Sequence, residues 1–157
     1  MSLPNFNDLA GKVAVVTGGG GILCADMARA LAEAGAKVAI LDLKLESAEA
    51  VAASIRAEGG QAIAVAANVL ERASLEAAAA EVLAKIGQCD ILINGAGGNH
   101  PKGTTTKENL TLADFQQADA SITSFFDLDP DGIRFVFDLN FLGSLMPTQV
   151  FAKQMVG

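Results

Sequence analysis

The fold is decided by the stretch KVAVVTGGGGIL at residues 12–23. It opens with a short valine-rich run, typical of a fully buried strand, and this run ends in the glycines 18–21. Glycine adopts backbone conformations that other residues avoid, so such a turn can bring the main chain against a ligand. A helical pattern begins at Ile22, and amides at the start of a helix attract anions. The stretch therefore predicts a strand, a turn and a helix that hold a phosphate group.

Strand and helix patterns alternate on either side of this turn. Strands are predicted at 12–17, 37–41, 61–66 and 90–94, and helices at 22–34, 45–58 and 74–86. Ser74 is the expected N-cap of the third helix. Short apolar strands joined by helices are typical of a parallel sheet that is covered on both faces. We predict an α/β fold with a Rossmann-like, doubly wound parallel sheet of about four strands.

The alternation stops after residue 94. Residues 95–106 are rich in Gly, Thr and Asn, which indicates a loop, and only short helical patches follow at 112–117 and 122–126. A helical pattern resumes at residue 131. Its apolar stripe consists of Phe135, Leu139, Leu142, Leu145, Met146 and Phe151.

Pro147 interrupts this last helical pattern. It has no N–H to bond the Gly143 carbonyl, so we expect a kink or a loosened turn there. Taken together, the patterns predict one domain over residues 1–157 with an insertion or loop region at 99–131.

Composition excludes several classes of function. The 157 residues are 51% apolar, enough for one core, and the net charge of -7 without a basic block argues against nucleic acid as a partner. The start of the chain lacks the pattern of a signal peptide, and no apolar run approaches the roughly 18 residues of a membrane span. Cys24 and Cys89 form neither a disulfide framework nor a metal-ligand spacing. We expect a cytoplasmic protein without a metal.

Asp42 ends the second predicted strand, 24 positions after Gly18. This is close to the spacing at which an acidic side chain meets the adenosine ribose of a bound dinucleotide. Its carboxylate would accept hydrogen bonds from the ribose hydroxyls and repel a 2′-phosphate, which favours NAD over NADP. The other interpretation is a solvated residue at the strand end, balanced by Lys44.

Three motifs, in this order, resemble the short-chain dehydrogenase/reductase family. They are Thr17-Gly18-Gly19-Gly20-Gly21-Ile22-Leu23, Asn94-Gly95-Ala96-Gly97 and Asp138-Leu139-Asn140. The resemblance covers essentially the whole chain. The segment Gly97-Gly98-Asn99-His100-Pro101, with the long insertion after it, is similar more narrowly to the D-mannonate oxidoreductase (fructuronate reductase) branch.

The resemblance implies an NAD-dependent oxidoreductase. It would move hydride between nicotinamide and a secondary alcohol or ketone of a sugar acid, with the pair D-mannonate and D-fructuronate as the best specific candidate. The first motif would hold the cofactor phosphates. The segment 94–97 would pass the riboses, and Asn68-Val69 would stand near the adenine, where the family commonly has Asp-Val. The backbone carbonyl of Asn140 would hold a water of the proton relay.

The resemblance also implies a homo-oligomer, a dimer or tetramer, paired partly through the last helical stripe. We accordingly interpret the phenylalanines from Phe115 to Phe151 as core and subunit interface. His100 follows the fourth strand and is open to two interpretations. It meets the carboxylate of the substrate, as Lys102 could also do, or it is an ordinary loop residue.

Two departures from the family pattern matter. Ile22 and Cys24 stand where the second and third glycines usually lie, so Cys24 either packs between helix and strand or crowds the pyrophosphate and weakens cofactor binding. The sequence also contains no tyrosine, whereas the family uses Tyr-x-x-x-Lys, with a serine, as its acid/base group. We expect the chain to hold the cofactor half of a longer enzyme. The alternative is a non-catalytic dinucleotide-binding or regulatory module on the same scaffold.

Overall fold

Four parallel strands form the sheet in the computed structural model, which describes residues 9–116 and 121–156. They are β1 (Val13–Thr17), β2 (Lys37–Asp42), β3 (Gln61–Ala66) and β4 (Ile91–Asn94), in the order β3-β2-β1-β4. The predicted doubly wound parallel sheet is confirmed. The chain leaves β1 toward β2 on one side and reaches β4 on the other, so a switch point lies between β1 and β4, where such sheets bind ligands.

The helices are close to those predicted from the sequence. They are α1 (Ile22–Glu33), α2 (Leu45–Ala57), α3 (Arg72–Lys85), α4 (Leu112–Gln116), α5 (Pro130–Phe137) and α6 (Gly143–Phe151). The lead-in at residues 1–8, Gln117 of the predicted helical patch and the terminal Gly157 lie outside the described residues. The predicted patch at 122–126 is a short 3-10 turn, Phe125–Asp127.

Side chains alternate along the central strands and build one apolar layer on each face of the sheet. Val15 and Leu41 point to the layer that contains Leu75 of α3 and Phe151 of α6. The neighbouring strand residues point to the opposite layer, whose helical members include Ala28 of α1 and Val51 of α2. Burial of both faces explains why β1 consists of consecutive apolar residues ending in Thr17.

The predicted N-cap of the third helix is wrong. Helix α3 begins at Arg72 with Glu71 at its N-cap, and Ser74 lies inside the first turn. The Ser74 hydroxyl instead accepts a hydrogen bond from the backbone N–H of Asn68, at 2.9 Å. A tight turn, in which the Glu71 N–H donates to the Asn68 carbonyl, starts the helix early and leaves Ser74 to satisfy the backbone that precedes it.

The last helical segment is distorted, but upstream of Pro147. Residues Asp138–Leu142 form a π-helical turn, in which the N–H of Gly143 donates to the carbonyl of Asp138, and α6 then continues through the buried Pro147. A proline ring presses on the carbonyl four residues before it, which here belongs to Gly143. The loosened turn therefore lies one turn upstream of Pro147, where the π-helical turn ends at Gly143.

The insertion is anchored to α5 by two glycines. A Cβ added to Gly132 would lie 2.6 Å from the Lys102 carbonyl carbon, and one added to Gly103 would lie 2.8 Å from the Gly132 oxygen. Asp129 reinforces the contact, because its N–H donates to the Lys102 carbonyl at 3.0 Å. Across residues 9–116 and 121–156, no helix is both long enough and apolar enough to cross a bilayer.

Candidate functional site

A cleft of about 520 Å³ lies at the carboxyl ends of the strands. Its walls come from the glycine turn, the start of α1 and the segments that follow β2, β3 and β4. The lining residues are Gly18, Gly21, Ile22, Leu23, Cys24, Asp42, Leu43, Ala67, Asn68, Val69, Gly95, Ala96, Gly97 and Leu139. The structure thus brings together ten of the fourteen cofactor residues expected from the sequence.

The glycine turn is wedged between two other segments. Gly18 has a φ of +62°, and a Cβ there would lie 2.8 Å from the Ala96 Cα in the loop after β4. A Cβ on Gly20 would lie 2.6 Å from the Ser47 Cβ in the first turn of α2. Side chains at these positions would separate the turn from its neighbours, so glycine is required there by packing as well as by backbone conformation.

The amides of the turn are already used within the protein. The N–H groups of Gly19, Gly20 and Gly21 donate to the Leu41 carbonyl, to Asp42 Oδ2 and to the Gly18 carbonyl, at 3.0–3.1 Å. The sequence suggested these glycines as phosphate donors, and the structure gives them a supporting role. Gly19 and Gly20 accordingly do not line the cleft.

The donors that face a ligand belong to the next residues. The N–H of Ala25 makes the first helical bond, to the Gly21 carbonyl at 2.8 Å, so the amides of Ile22, Leu23 and Cys24 precede the hydrogen bonds of α1. The side chains of Ile22 and Leu23 are 85% and 74% exposed at the mouth of the cleft. An anion at the start of α1 would meet free backbone donors flanked by apolar side chains.

Asp42 ends β2 at the wall of the cleft, as its spacing suggested. Its Oδ2 accepts from the Gly20 N–H at 3.1 Å, and its Oδ1 accepts from the Lys44 N–H at 3.0 Å. Lys44 thus meets this carboxylate through its backbone. Two amides hold the carboxylate in one orientation, and each of its oxygens retains a lone pair for a ligand hydroxyl.

Asn68 and Val69 line the cleft on the β3 side. The Asn68 side chain forms a local turn, since its Oδ1 accepts from the Leu70 N–H at 3.0 Å and its Nδ2 donates to Glu71 at 2.9 Å. The acceptor expected to meet an adenine is therefore already engaged once. Val69 is buried and contributes an apolar surface.

The loop after β4 is held in place by the side chain of Thr17, at the end of β1. This fully buried hydroxyl accepts from the N–H groups of Gly95 and Ala96, at 3.1 and 3.2 Å. Thr17 and Asn94 do not line the cleft, although the sequence placed both among the cofactor residues. They lie behind the cleft wall and help to position the loop after β4, which lines the cleft.

Cys24 packs against Gly95 in the loop after β4 and also lines the cleft, so its effect on cofactor binding stays a prediction. A Cβ added to Gly95 would overlap the Cys24 sulfur, so the thiol fills the space that a side chain at Gly95 would need. The thiol is buried, and this burial, together with the nearby charge of Asp42, raises its pKa. Cys24 is therefore a neutral packing residue on the wall of the cleft.

Asn140 lies beside a second, open groove of about 430 Å³, formed with Asn99, Val136, Phe137 and Phe141. Its side chain clasps the backbone of Gly98. Oδ1 accepts from the Gly98 N–H at 3.2 Å, and Nδ2 donates to the Gly98 carbonyl at 2.8 Å. The side chain thus has a structural task at the edge of the cofactor cleft, whereas the catalytic role implied for its carbonyl stays a prediction.

His100 has a local structural role in this chain. Its Nδ1 accepts from the Lys102 N–H at 3.2 Å and so caps the short 3-10 turn Pro101–Gly103. Its ring packs against Phe135 with centroids 5.1 Å apart, and the Lys102 ammonium lies 3.6 Å from Asp129. These contacts favour the interpretation of His100 as a loop-organising residue, and they pair Lys102 within the chain.

The phenylalanines divide between core and surface. Phe151 is fully buried, as predicted for a core residue. Phe125, Phe126, Phe137 and Phe141 are each at least 65% exposed, so they lie outside the core of this chain, and their place at a subunit interface stays a prediction. They lie on the insertion and on the outer side of α5 and the π-helical turn, where the sheet offers no surface to cover them.

Sequence reasoning missed three lining residues. Leu43 follows Asp42 directly, and its place after a strand end was an available signal. Ala67 follows β3 in the same way. Leu139 comes from the distant π-helical turn, and no local pattern marks it as a cleft residue.

Comparisons with known proteins agree on one family. The model of the short chain dehydrogenase family matches residues 12–157. An uncharacterized oxidoreductase of Haemophilus influenzae is 48% identical over 159 residues, which span 100% of this chain and 54% of that protein. The uncharacterized oxidoreductase UxuB of Bacillus subtilis is 49% identical over 154 residues, which span 98% of this chain and 53% of UxuB.

A solved structure shares both fold and sequence with this chain. It is the crystal structure, with bound NAD, of a Haemophilus influenzae protein that is provisionally assigned as a D-mannonate oxidoreductase. The TM-score is 0.87 at 48% identity, over 95% of this chain and 52% of the other. This chain spans about half the length of the curated relatives it matches.

Proposed function

We propose, because this chain belongs to the short-chain dehydrogenase family, that it binds NAD in the cleft at the carboxyl ends of its strands. The observation that carries the proposal is the position of Asp42, whose carboxylate is oriented by the amides of Gly20 and Lys44 at the cleft wall. The NAD bound by the structural relative at 48% identity supports it.

The residues of the cleft suit the parts of a dinucleotide. Asp42 would accept hydrogen bonds from the adenosine ribose, and its charge would oppose a 2′-phosphate. The free amides at the start of α1 would hold the pyrophosphate. Leu43 and Val69 provide apolar surface for the adenine, and the loop at 95–97 would pass the second ribose. Bound NAD would supply the hydride acceptor for an oxidation.

For the whole protein, we propose NAD-dependent oxidoreduction of a secondary alcohol or ketone on a sugar acid, with D-mannonate and D-fructuronate as the first substrates to test. The resemblance to the structurally known relative motivates this choice. The 157 residues contain no tyrosine, so a tyrosine acid/base is not among them. Their part in the reaction would be to bind and orient the cofactor.

Titration of this chain with NADH, followed by the change in nicotinamide fluorescence, tests cofactor binding directly. We expect saturable binding of NADH, with NADPH bound at least about tenfold more weakly because of Asp42. Equal affinity for the two would contradict the role given to Asp42, and no binding of either would contradict the proposed function. Following NADH formation with D-mannonate, and its loss with D-fructuronate, in the whole protein then tests the substrate class.

The alternative function is a non-catalytic dinucleotide-binding module, which the cleft and its oriented Asp42 carboxylate fit equally well. The two functions predict the same NADH titration and differ in turnover. For the whole protein, saturable NADH binding without oxidation of D-mannonate or of a panel of related hexonates and polyols would favour the binding module.

We also infer that the protein self-associates through the outer face of the last helical segment. Phe137, Phe141 and Leu145 lie one helical turn apart and are 69%, 65% and 40% exposed. Exposed apolar stripes of this kind favour a protein interface. Sedimentation analysis should give a mass above that of a monomer, and Phe141→Ser should shift the mass toward the monomer. A wild-type chain that is monomeric at all concentrations would contradict this inference.

A further inference from the structure

Three side chains along the last helical segment each donate a hydrogen bond to the carbonyl four residues earlier. Asn140 Nδ2 donates to the Val136 carbonyl at 2.7 Å, Ser144 Oγ to the Asn140 carbonyl at 3.0 Å and Thr148 Oγ1 to the Ser144 carbonyl at 2.8 Å. The donors are spaced four residues apart and form one stripe, which we call the polar ladder (Asn140, Ser144 and Thr148).

One end of the polar ladder is tied to the last residue of β4, and the other end to the loop that follows it. At one end, the Asn94 side chain donates to Thr148 Oγ1 at 2.8 Å. At the other end, Asn140 clasps the N–H and the carbonyl of Gly98. The ladder thus spans residues 95–97, the part of this loop that lines the cofactor cleft.

This loop depends on its neighbours for a fixed shape. Three of the residues from 95 to 98 are glycines, which lose more conformational freedom on ordering than other residues. Thr17 holds the loop on the side of β1, and the polar ladder holds it on the side of the helix. The backbone of Gly97 lies close to the Asn140 side chain, since a Cβ on Gly97 would lie 2.7 Å from Asn140 Oδ1.

The loop faces one half of the proposed cofactor. In doubly wound sheets a dinucleotide lies across the switch point, with one mononucleotide on each side. Asp42, after β2, is on the adenosine side. The loop after β4 is on the other side of β1 and so faces the nicotinamide half.

We propose that Ser144 and Thr148 are positioning residues for the nicotinamide half of the bound cofactor, acting through Asn140 and Asn94 without contacting the cofactor. This inference rests on the proposed NAD binding. The competing explanation is that these hydroxyls serve only the helix, since serine and threonine in helices often bond the carbonyl four residues earlier. The competing explanation predicts a change in stability without a selective change in cofactor affinity.

The test compares two ligands that share the adenosine half. NADH and ADP are titrated by calorimetry against the unchanged chain, Ser144→Ala, Thr148→Val and the double variant. We expect each single variant to weaken NADH binding by about threefold to tenfold, the range of one or two lost hydrogen bonds, while ADP affinity stays within about twofold. Thr148→Val keeps the shape of the side chain, so its fold should be retained.

Three controls separate positioning from general loss of structure. Gln149→Ala removes a side chain of the same helix that bonds Arg72 on α3, and it should leave NADH affinity unchanged. Ser144→Thr and Thr148→Ser keep a hydroxyl and should largely retain wild-type affinity. Amide exchange of Gly98 in the free chain should speed up in Ser144→Ala and Thr148→Val, because the clasp by Asn140 is loosened.

The outcomes distinguish the positioning role of Ser144 and Thr148 from NAD binding itself. NADH affinity that is unchanged in both variants, or NADH and ADP affinities that fall equally, would overturn the positioning role while leaving NAD binding intact. Failure of the unchanged chain to bind either ligand would contradict the proposed function, and the positioning role with it. Selective loss of NADH affinity with retained ADP affinity supports the inference.

Discussion

The carboxylate of Asp42 accepts a hydrogen bond from the backbone N–H of Gly20, with Oδ2 3.1 Å from that nitrogen. One side chain therefore links the glycine turn after β1 to the end of β2. The residue proposed to select the cofactor also holds the turn in place, so its two contributions must be separated by the choice of substitution.

Asp42→Asn should remove the charge and keep an oxygen that can accept from the Gly20 N–H. We expect the preference for NADH over NADPH to fall by about one to two orders of magnitude, because a pair of charge-assisted hydrogen bonds to the ribose is lost. Asp42→Ala removes both contributions and should also weaken binding of both cofactors. Fluorescence titrations with the two reduced cofactors measure this.

Glu46→Gln is the matched control, because it removes a nearby carboxylate in the first turn of α2. Its cofactor preference should equal that of the unchanged chain. An unaltered preference in Asp42→Asn would show that Asp42 does not meet the ribose.

The contact between Cys24 and Gly95 allows a compensation experiment. If the Cys24 side chain crowded the pyrophosphate, Cys24→Gly would tighten cofactor binding. Because the sulfur is buried against Gly95, we now expect Cys24→Gly to lower the free energy of unfolding by about 1–3 kcal/mol, through lost burial and a glycine inside α1, without tighter NADH binding. Urea denaturation and NADH titration measure the two effects.

Gly95→Ala should be more damaging alone than in the double variant with Cys24→Gly. The added methyl overlaps the sulfur, and removing the sulfur makes room for it. The rescue should be partial, since the same Cβ would lie 2.9 Å from the Thr17 carbonyl oxygen. Strictly additive losses of stability would show that the two residues do not compete for the same space.

Gly132→Ala should destabilise the protein, although alanine normally favours a helix over glycine. The added methyl in α5 would lie 2.6–2.7 Å from backbone and side-chain atoms of Lys102 and Gly103. We expect a loss of about 1–3 kcal/mol in the free energy of unfolding from this overpacking, measured by urea denaturation.

Gly143→Ala provides the comparison within the same helical run. Its nearest neighbour is a methyl carbon of the Val69 side chain at 3.1 Å, farther than the 2.6–2.7 Å contacts at Gly132, so the loss should be smaller. A gain in stability from Gly132→Ala would contradict the close packing of the insertion on α5.

Because of Cys89, the free energy of unfolding should depend on pH in the alkaline range. Burial raises the pKa of its thiol to about 11; a backbone hydrogen bond of Ile91 opposes this, and the charge of Asp90 adds a smaller increase. The unfolded thiol has a lower pKa, near 9, so the free energy of unfolding should be unaffected below about pH 9 and should fall between about pH 9 and 11.

The measurement is the difference between the unchanged chain and Cys89→Ala in urea denaturation across this pH range, which cancels the titration of the lysines. The difference should be flat below about pH 9 and should change only above it. Alkylation of Cys89 at about pH 8 should also be much slower in the folded protein than in urea, since the thiolate is the reactive form. Equal rates would contradict the burial of this thiol.

Local patterns predicted the elements of this fold well. The valine-rich run into glycine, the alternation of short apolar runs with helical periodicity, and Asp42 at a strand end are each readable within one short window of sequence. They set the doubly wound sheet and the position of the cleft, because the buried faces of strands and helices impose their period on the residues. Ser74 failed as an N-cap because the deciding partner, the Asn68 amide, depends on the shape of the preceding turn.

The sequence by itself therefore determined the elements, their order and the edge of the sheet that carries the candidate site. Tertiary structure alone decided which groups face a ligand: that the turn amides of Gly19 to Gly21 are spent within the protein, that Cys24 packs on Gly95, and that Asn140 clasps Gly98. Apart from the local bond between Gly21 and Gly18, these contacts join residues distant along the chain, and their geometry depends on how the helices pack on the sheet. No local pattern of residues encodes it.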